Sequence, residues 1–208
     1  MIFKKFIKKI IKFISLSFIV IMNKIGIGRY FLEKINKNIN NQIKKINHNG
    51  IKLNFYVPNR INLYRANTFS QKEPETLEWI DNFKEGKCFW DIGANVGIYS
   101  CYAAKKKHCK VYAFEASVFN LEFLTKNIYL NNLNDKIIIF SLPLTDKVKE
   151  TDFNMSSIDA GSASSTCGEE YKHDGTNLNK IFSYKTLGLS IDKAVEYMEL
   201  QCPDYIKM

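Results

Sequence analysis

The chain has 208 residues, 46% hydrophobic and 25% charged. Those values fit one globular domain with an extension and exclude a disordered chain, a collagen-like repeat and a multi-span membrane protein. Its net charge of +9 is uneven: residues 1–50 hold ten Lys and one Arg against the single acid Glu33, whereas residues 51–208 hold 19 basic and 20 acidic side chains. The excess lies in an N-terminal arm, and the body lacks the basic footprint of a nucleic-acid-binding fold, so no nucleic-acid partner is expected.

The arm, residues 1–50, begins with Phe3, Phe6, Ile7, Ile10, Ile11 and Ile14 at three- and four-residue spacing, with Lys4, Lys5, Lys8, Lys9 and Lys12 between them. That pattern predicts an amphipathic helix over residues 2–14. Phe13 to Met22 is nearly continuous apolar sequence, too short to span a bilayer, which needs about 20 residues. Three readings stand side by side: a signal peptide, a helix lying on an anionic membrane as a peripheral contact, and a helix packed on the protein's own body.

Residues 51–85 read as a lead-in. Ile51, Leu53, Phe55 and Val57 alternate as a strand ended by Pro58, and a helix runs from Ser70 through Pro74 to Phe83, with Ser70 and Glu73 at capping-box spacing. From residue 86 strands and helices alternate: strand 87–91, helix 97–106, strand 110–114, helix 118–129 and strand 137–140. This is the pattern of an α/β doubly wound, Rossmann-like sheet, with both crossover helices on one face. Residues 145–180 are polar and read as a long loop. A helix over 192–200, with Asp192 as a candidate N-cap, and a strand from Tyr205 to Met208 close the chain. No further strand or helix follows, so the sheet is read as incomplete at the C-terminus.

Five scattered cysteines, none in a C-x-x-C pair, argue against a secreted disulfide framework or a zinc site. Reduced thiols and a cytoplasmic location are expected.

The chemistry concentrates in Asp91-Ile92-Gly93-Ala94-Asn95-Val96-Gly97. An acid ends a strand and a glycine turn opens a helix, while Glu115 ends the next strand, where a carboxylate can accept both hydroxyls of a ribose. A dinucleotide site wants G-x-G-x-x-G, and Asn95 stands between the glycines instead. A negative Asp91 opposes a pyrophosphate but suits a ligand with an ammonium and a sulfonium, which points to S-adenosylmethionine. Asp91, Gly93, Gly97 and Glu115 are therefore the candidate cofactor residues. Asp146, after the third strand, is a further one that could accept from an adenine amino group. His173, in the polar loop, is a weak candidate base, and His48 and His108 read as surface residues.

These motifs, together with Phe114-Glu115-Ala116, Leu189-Ser190-Ile191-Asp192 and Pro203-Asp204-Tyr205-Ile206-Lys207, resemble the FkbM family of S-adenosylmethionine-dependent methyltransferases over residues 75–208. The resemblance implies a class I methyltransferase domain over residues 86–208 that O-methylates a hydroxyl of a sugar or similar small-molecule or glycan acceptor, with Asp91, Gly93, Asn95, Gly97 and Glu115 holding the cofactor. The family's segment continues with an Asp beyond Lys207-Met208, which implies a C-terminally truncated domain. The rival readings are a non-catalytic nucleoside-binding or membrane-associated fragment and an NAD(P)-binding oxidoreductase.

Overall fold

The computed structural model describes residues 2–163, 165–171 and 175–208. The chain divides into two compact units, Met1–Gln42 and Ile43–Met208.

In the first unit, α1 (Ile2–Lys24) and α2 (Gly28–Asn40) form a helical pair. The periodicity that predicts a helix to residue 14 continues without Gly or Pro, so α1 runs through the apolar stretch. It ends just before Gly26, which takes a φ of 80°. Phe18 meets Phe31 edge-on at 5.1 Å between ring centroids. No helix among the described residues is long and apolar enough to cross a membrane.

The second unit opens with β1 (Ile43–His48) and β2 (Ile51–Tyr56), an antiparallel hairpin. Its turn is Asn49-Gly50, both residues at positive φ, the two-residue connection whose twist matches paired strands. The arm boundary expected at residue 50 therefore cuts a hairpin, and the break falls after Gln42. Next come α3 (Arg60–Asn67), α4 (Phe69–Lys72) and α5 (Pro74–Asp81). The single helix expected from Ser70 to Phe83 is interrupted at Glu73, which takes φ −139° and ψ 65°, because a residue preceding proline is pushed out of the helical region. Ser70 does not cap that helix; its Oγ lies 2.8 Å from His48 Nδ1.

Then follow β3 (Cys88–Ile92), α6 (Ile98–Lys107), β4 (Lys110–Phe114), α7 (Val118–Leu130) and β5 (Ile137–Phe140). The chain continues through β6 (Lys149–Met155), β7 (Thr166–Cys167), β8 (Phe182–Gly188), α8 (Ile191–Met198) and β9 (Tyr205–Lys207). The central sheet has the order β5-β4-β3-β9 and every pair in it is parallel. Its two central strands, β3 and β4, are buried on both faces, as continuous apolar runs predict. On one face Phe89, Val111 and Ala113 pack with Tyr102 of α6 and with Leu124 and Ile128 of α7. On the other, Trp90, Tyr112 and Phe114 pack with Ala194 of α8 and with Leu200. The domain is thus an α/β, doubly wound, Rossmann-like sheet. Each fully buried large side chain there contributes about 1.5–3 kcal/mol.

The expectation of one long polar loop over 145–180 is corrected. β6 lies within it and pairs antiparallel with both β7 and β8 in a second sheet, order β7-β6-β8. Thr151 and Asn154 are buried on β6, and the Asn154 amide donates to the Glu169 carbonyl. Asp192 is not the N-cap of α8: Ser190 accepts from the Lys193 amide in that role.

Candidate functional site

The turn between β3 and α6 is hung from the end of β4. The amides of Gly93 and Ala94 both donate to the Phe114 carbonyl at 2.9 Å. Gly93, Asn95 and Gly97 all take positive φ, which alternates the direction of successive peptide groups. The buried Asn127 braces the turn from α7: its amide donates to the Val96 carbonyl at 2.7 Å, and its oxygen accepts the Tyr56 amide of β2 at 2.8 Å.

Two buried carboxyls flank this turn. Glu115 is 6% exposed; its Oε2 accepts the Asn95 amide and its Oε1 the Ser117 amide, each at 2.7 Å. The Asn120 side chain is a third donor to the carboxyl, so about one of its four lone-pair sites stays open. Burial pushes the Glu115 carboxyl above its ordinary range, and those amides pull the other way. Asp91 is 1% exposed. Its Oδ2 accepts from Ser100 Oγ at 2.5 Å, while its Oδ1 finds no partner among the described residues. Burial raises its pKa too, opposed by the Lys207 ammonium and by Ser100. A buried carboxylate left half satisfied costs free energy unless a cation or donor answers it.

A cavity of about 330 Å³ opens at the C-terminal ends of β3 and β4, where ligands of open α/β sheets bind. One wall is apolar, from Ile92, Phe114, Leu142, Leu144 and Phe153; Gly93, Asn95, Glu115 and Asn120 supply the backbone edge and polar groups. No lysine or arginine is among the described lining residues. A strap over 160–162 forms the remaining side. The Ala160 carbonyl accepts from Asn59 at 3.0 Å and Asn62 at 2.9 Å, and the Gly161 carbonyl from Arg65 Nε at 2.8 Å. The Gly161 amide donates to Asn120 at 2.8 Å, and the Ser162 carbonyl accepts from Asn95 at 2.7 Å. Burial lowers the Arg65 pKa, with Glu73, Tyr99 and Glu115 acting against it.

Of the residues read from the sequence, Gly93, Asn95 and Glu115 meet at the cavity wall. Asp91 stands behind the turn rather than on that wall. Gly97 is the left-handed N-cap of α6, and a Cβ there would lie 2.2 Å from Leu124 Cδ1; it is not among the described residues lining the cavity. Asp146 is exposed and bound to Lys149 at 2.5 Å, and it is not among the described residues lining the cavity. His173 lies outside the described residues. His48 is half-buried against Phe69 and Tyr102 rather than on the open surface. Sequence reasoning missed the strap's anchors and the apolar wall after β5. The alternation of polar and apolar residues does not mark asparagines that bind backbone, whereas Leu142-Pro143-Leu144, directly after a strand, was a usable signal.

No family model matches the chain. Among curated proteins, a tRNA (guanine(37)-N(1))-methyltransferase of Dictyostelium discoideum is 32% identical over 90 residues, 43% of this chain and 20% of that protein. The match therefore spans a fifth of the relative's length. Among solved structures, a tRNA m1G37 methyltransferase of M. jannaschii is 26% identical over 48% of this chain and 28% of its own, with a TM-score of 0.34. P. horikoshii TYW2 in complex with MeSAdo is 21% identical over 49% and 36%, with a TM-score of 0.35. At those TM-scores the two structures add nothing to the fold described above. The curated relative agrees with the coarser reading as a methyltransferase, and no comparison supports FkbM membership. It also overturns the expectation of a small-molecule or glycan acceptor with no nucleic acid, because that relative is named for methylating tRNA.

Proposed function

We propose that the 43–208 unit binds S-adenosylmethionine in the cavity beside the glycine turn and transfers its methyl group to a nucleic-acid acceptor. Glu115 carries the reading of the cofactor. It is a buried carboxylate at the end of β4 with both oxygens fixed by backbone amides, and an acid at that position suits a ribose hydroxyl. The half-satisfied Asp91 supplies a buried negative charge behind the turn, suited to a cationic ligand. The apolar wall suits the faces of an adenine ring. The acceptor class rests on the tRNA-methylating relative.

Bound S-adenosylmethionine supplies an electrophilic methyl on a sulfonium. The chain's part is to hold the cofactor in a fixed pose and to keep water from it. The Phe114 carbonyl fixes the turn, Asn127 braces it, and the Asn95 side chain ties it to the Ser162 carbonyl. Such positioning removes much of the entropic barrier to transfer.

Calorimetry with S-adenosylmethionine on the full chain and on Glu115→Ala tests the cofactor. Loss of a charged hydrogen-bonding partner should cost about 1.5–3 kcal/mol, roughly a 10- to 150-fold weaker Kd. Equal binding by the two folded proteins would exclude Glu115 as the ribose acid. Transfer of labelled methyl from S-adenosylmethionine to bulk tRNA tests the acceptor; label appearing only on added oligosaccharides would exclude it.

A further inference from the structure

The first unit is not used by this reading, and its surface has a pronounced two-sided character. At 100° per residue, Lys5, Lys8, Lys9 and Lys12 of α1 fall within a sector of about 100°. Phe3, Phe6, Ile7, Ile10, Ile11, Phe13 and Ile14 occupy a sector of about 160° opposite them. That apolar sector is open: Phe3 and Phe13 are each 73% exposed and Ile14 is 60% exposed. Beyond it Leu16, Val20 and Ile21 are also exposed. α1 contains no acidic residue, and Glu33 is the only acid in the first 50 positions.

We infer that α1 is a membrane-surface helix whose apolar sector enters the headgroup–acyl boundary of an anionic bilayer while its lysines meet the lipid phosphates. Both halves of the surface are then used, which is what an interfacial helix requires. The charge complementarity selects an anionic surface, since each lysine near such a surface contributes an attraction that falls away within a Debye length. RNA phosphates would use the lysines alone and leave a row of phenylalanine and isoleucine side chains in water. A helix of this composition, with lysine throughout and no arginine or acid, has no side-chain fork for bidentate phosphate recognition either.

The test uses the full chain in vesicle co-sedimentation. Vesicles of phosphatidylcholine containing a minor share of phosphatidylglycerol are expected to pellet it, vesicles of phosphatidylcholine alone are not, and added salt should weaken the binding. The triple variant Lys5→Gln/Lys8→Gln/Lys12→Gln should lower partitioning on the order of a hundredfold, about fivefold for each lysine. The variant Phe6→Ser/Ile10→Ser/Phe13→Ser should abolish it at every salt concentration. An unchanged thermal midpoint for the 43–208 unit in both variants would show that the body is intact. Failure to pellet with anionic vesicles, equal pelleting with neutral ones, or pelleting that survives loss of the three apolar side chains would overturn the inference. Retention on tRNA by the apolar variant, without vesicle binding by the parent chain, would reassign α1 to nucleic acid.

Discussion

Gly93 and Gly97 lie in one turn and share a backbone conformation, with φ of 71° and 75°, yet substitution by alanine should have opposite consequences at the two. In either place alanine must adopt the left-handed region, at a cost of about 1–2 kcal/mol. At Gly93 an added Cβ meets nothing within 4 Å of the protein, so the strain is the whole effect on stability. At Gly97 the Cβ would stand 2.2 Å from Leu124 Cδ1. Leu124 is fully buried between α6 and α7 and has nowhere to retreat, which adds about 1–3 kcal/mol of overpacking. Gly97→Ala should therefore lose about 2–5 kcal/mol in urea unfolding, against about 1–2 kcal/mol for Gly93→Ala. Calorimetry should show the reverse order. Gly93→Ala places a methyl where the ligand approaches and weakens S-adenosylmethionine binding, whereas Gly97→Ala, measured where it is still folded, binds nearly as the parent does. A Gly97 variant that is stable but binds poorly, or a Gly93 variant that unfolds more readily than the Gly97 one, would refute this division of roles.

Three further outcomes follow from the same geometry. Burial raises the Asp91 carboxyl, so its contribution to stability is present below the ordinary carboxylate range and is lost as pH rises through the raised value. Asp91→Asn should therefore raise the urea midpoint of the ligand-free chain at pH 7, with the gain vanishing in acid, while cofactor affinity falls; a lower midpoint at pH 7 would contradict it. Asn120→Ala removes the acceptor of the Gly161 amide and should cost the strap about 0.5–1.5 kcal/mol, read as faster amide exchange at Gly161 and faster proteolysis within 156–165. Asp146→Ala should leave the S-adenosylmethionine isotherm unchanged, because Asp146 is solvent-exposed, pairs with Lys149 and is not among the described cavity-lining residues; weaker binding by this variant would contradict it.

The β3–α6–β4–α7–β5 run was legible because each strand is a short apolar run and α7 carries its own apolar stripe of Leu121, Leu124 and Ile128. The two carboxyls were legible for a related reason: an acid at the end of such a run is conspicuous. What stayed hidden depends on pairing across distance. β6 reads as polar, and only its partner β8, aligned from Lys149 with Gly188 to Met155 with Phe182, turns Thr151 and Asn154 into interior residues. The strap is hidden in the same way, since Asn59, Asn62 and Asn120 serve backbone groups some 40 to 100 residues away. The β1–β2 hairpin is different. Asn49-Gly50 is a local turn signal that was present, and the lysine-rich strand before it masked the alternation. The packing demand at Gly97 was hidden because a glycine that spares a ligand and one that spares a leucine look alike until Leu124 is placed.

The pairing of β3 with β9 also bears on how the molecule assembles. The Cys88 amide donates to Asp204, 116 positions away, whereas β3 and β4 are joined through a single helix. Closing the longer loop is entropically dearer, and nonlocal pairing of this kind slows folding. While the chain emerges from the ribosome, β3 thus spends its early life as an open sheet edge beside an already paired β4. An unpaired edge is a template for foreign strands. Aggregation during synthesis should therefore depend on how quickly β9 arrives, independently of the final stability of the sheet.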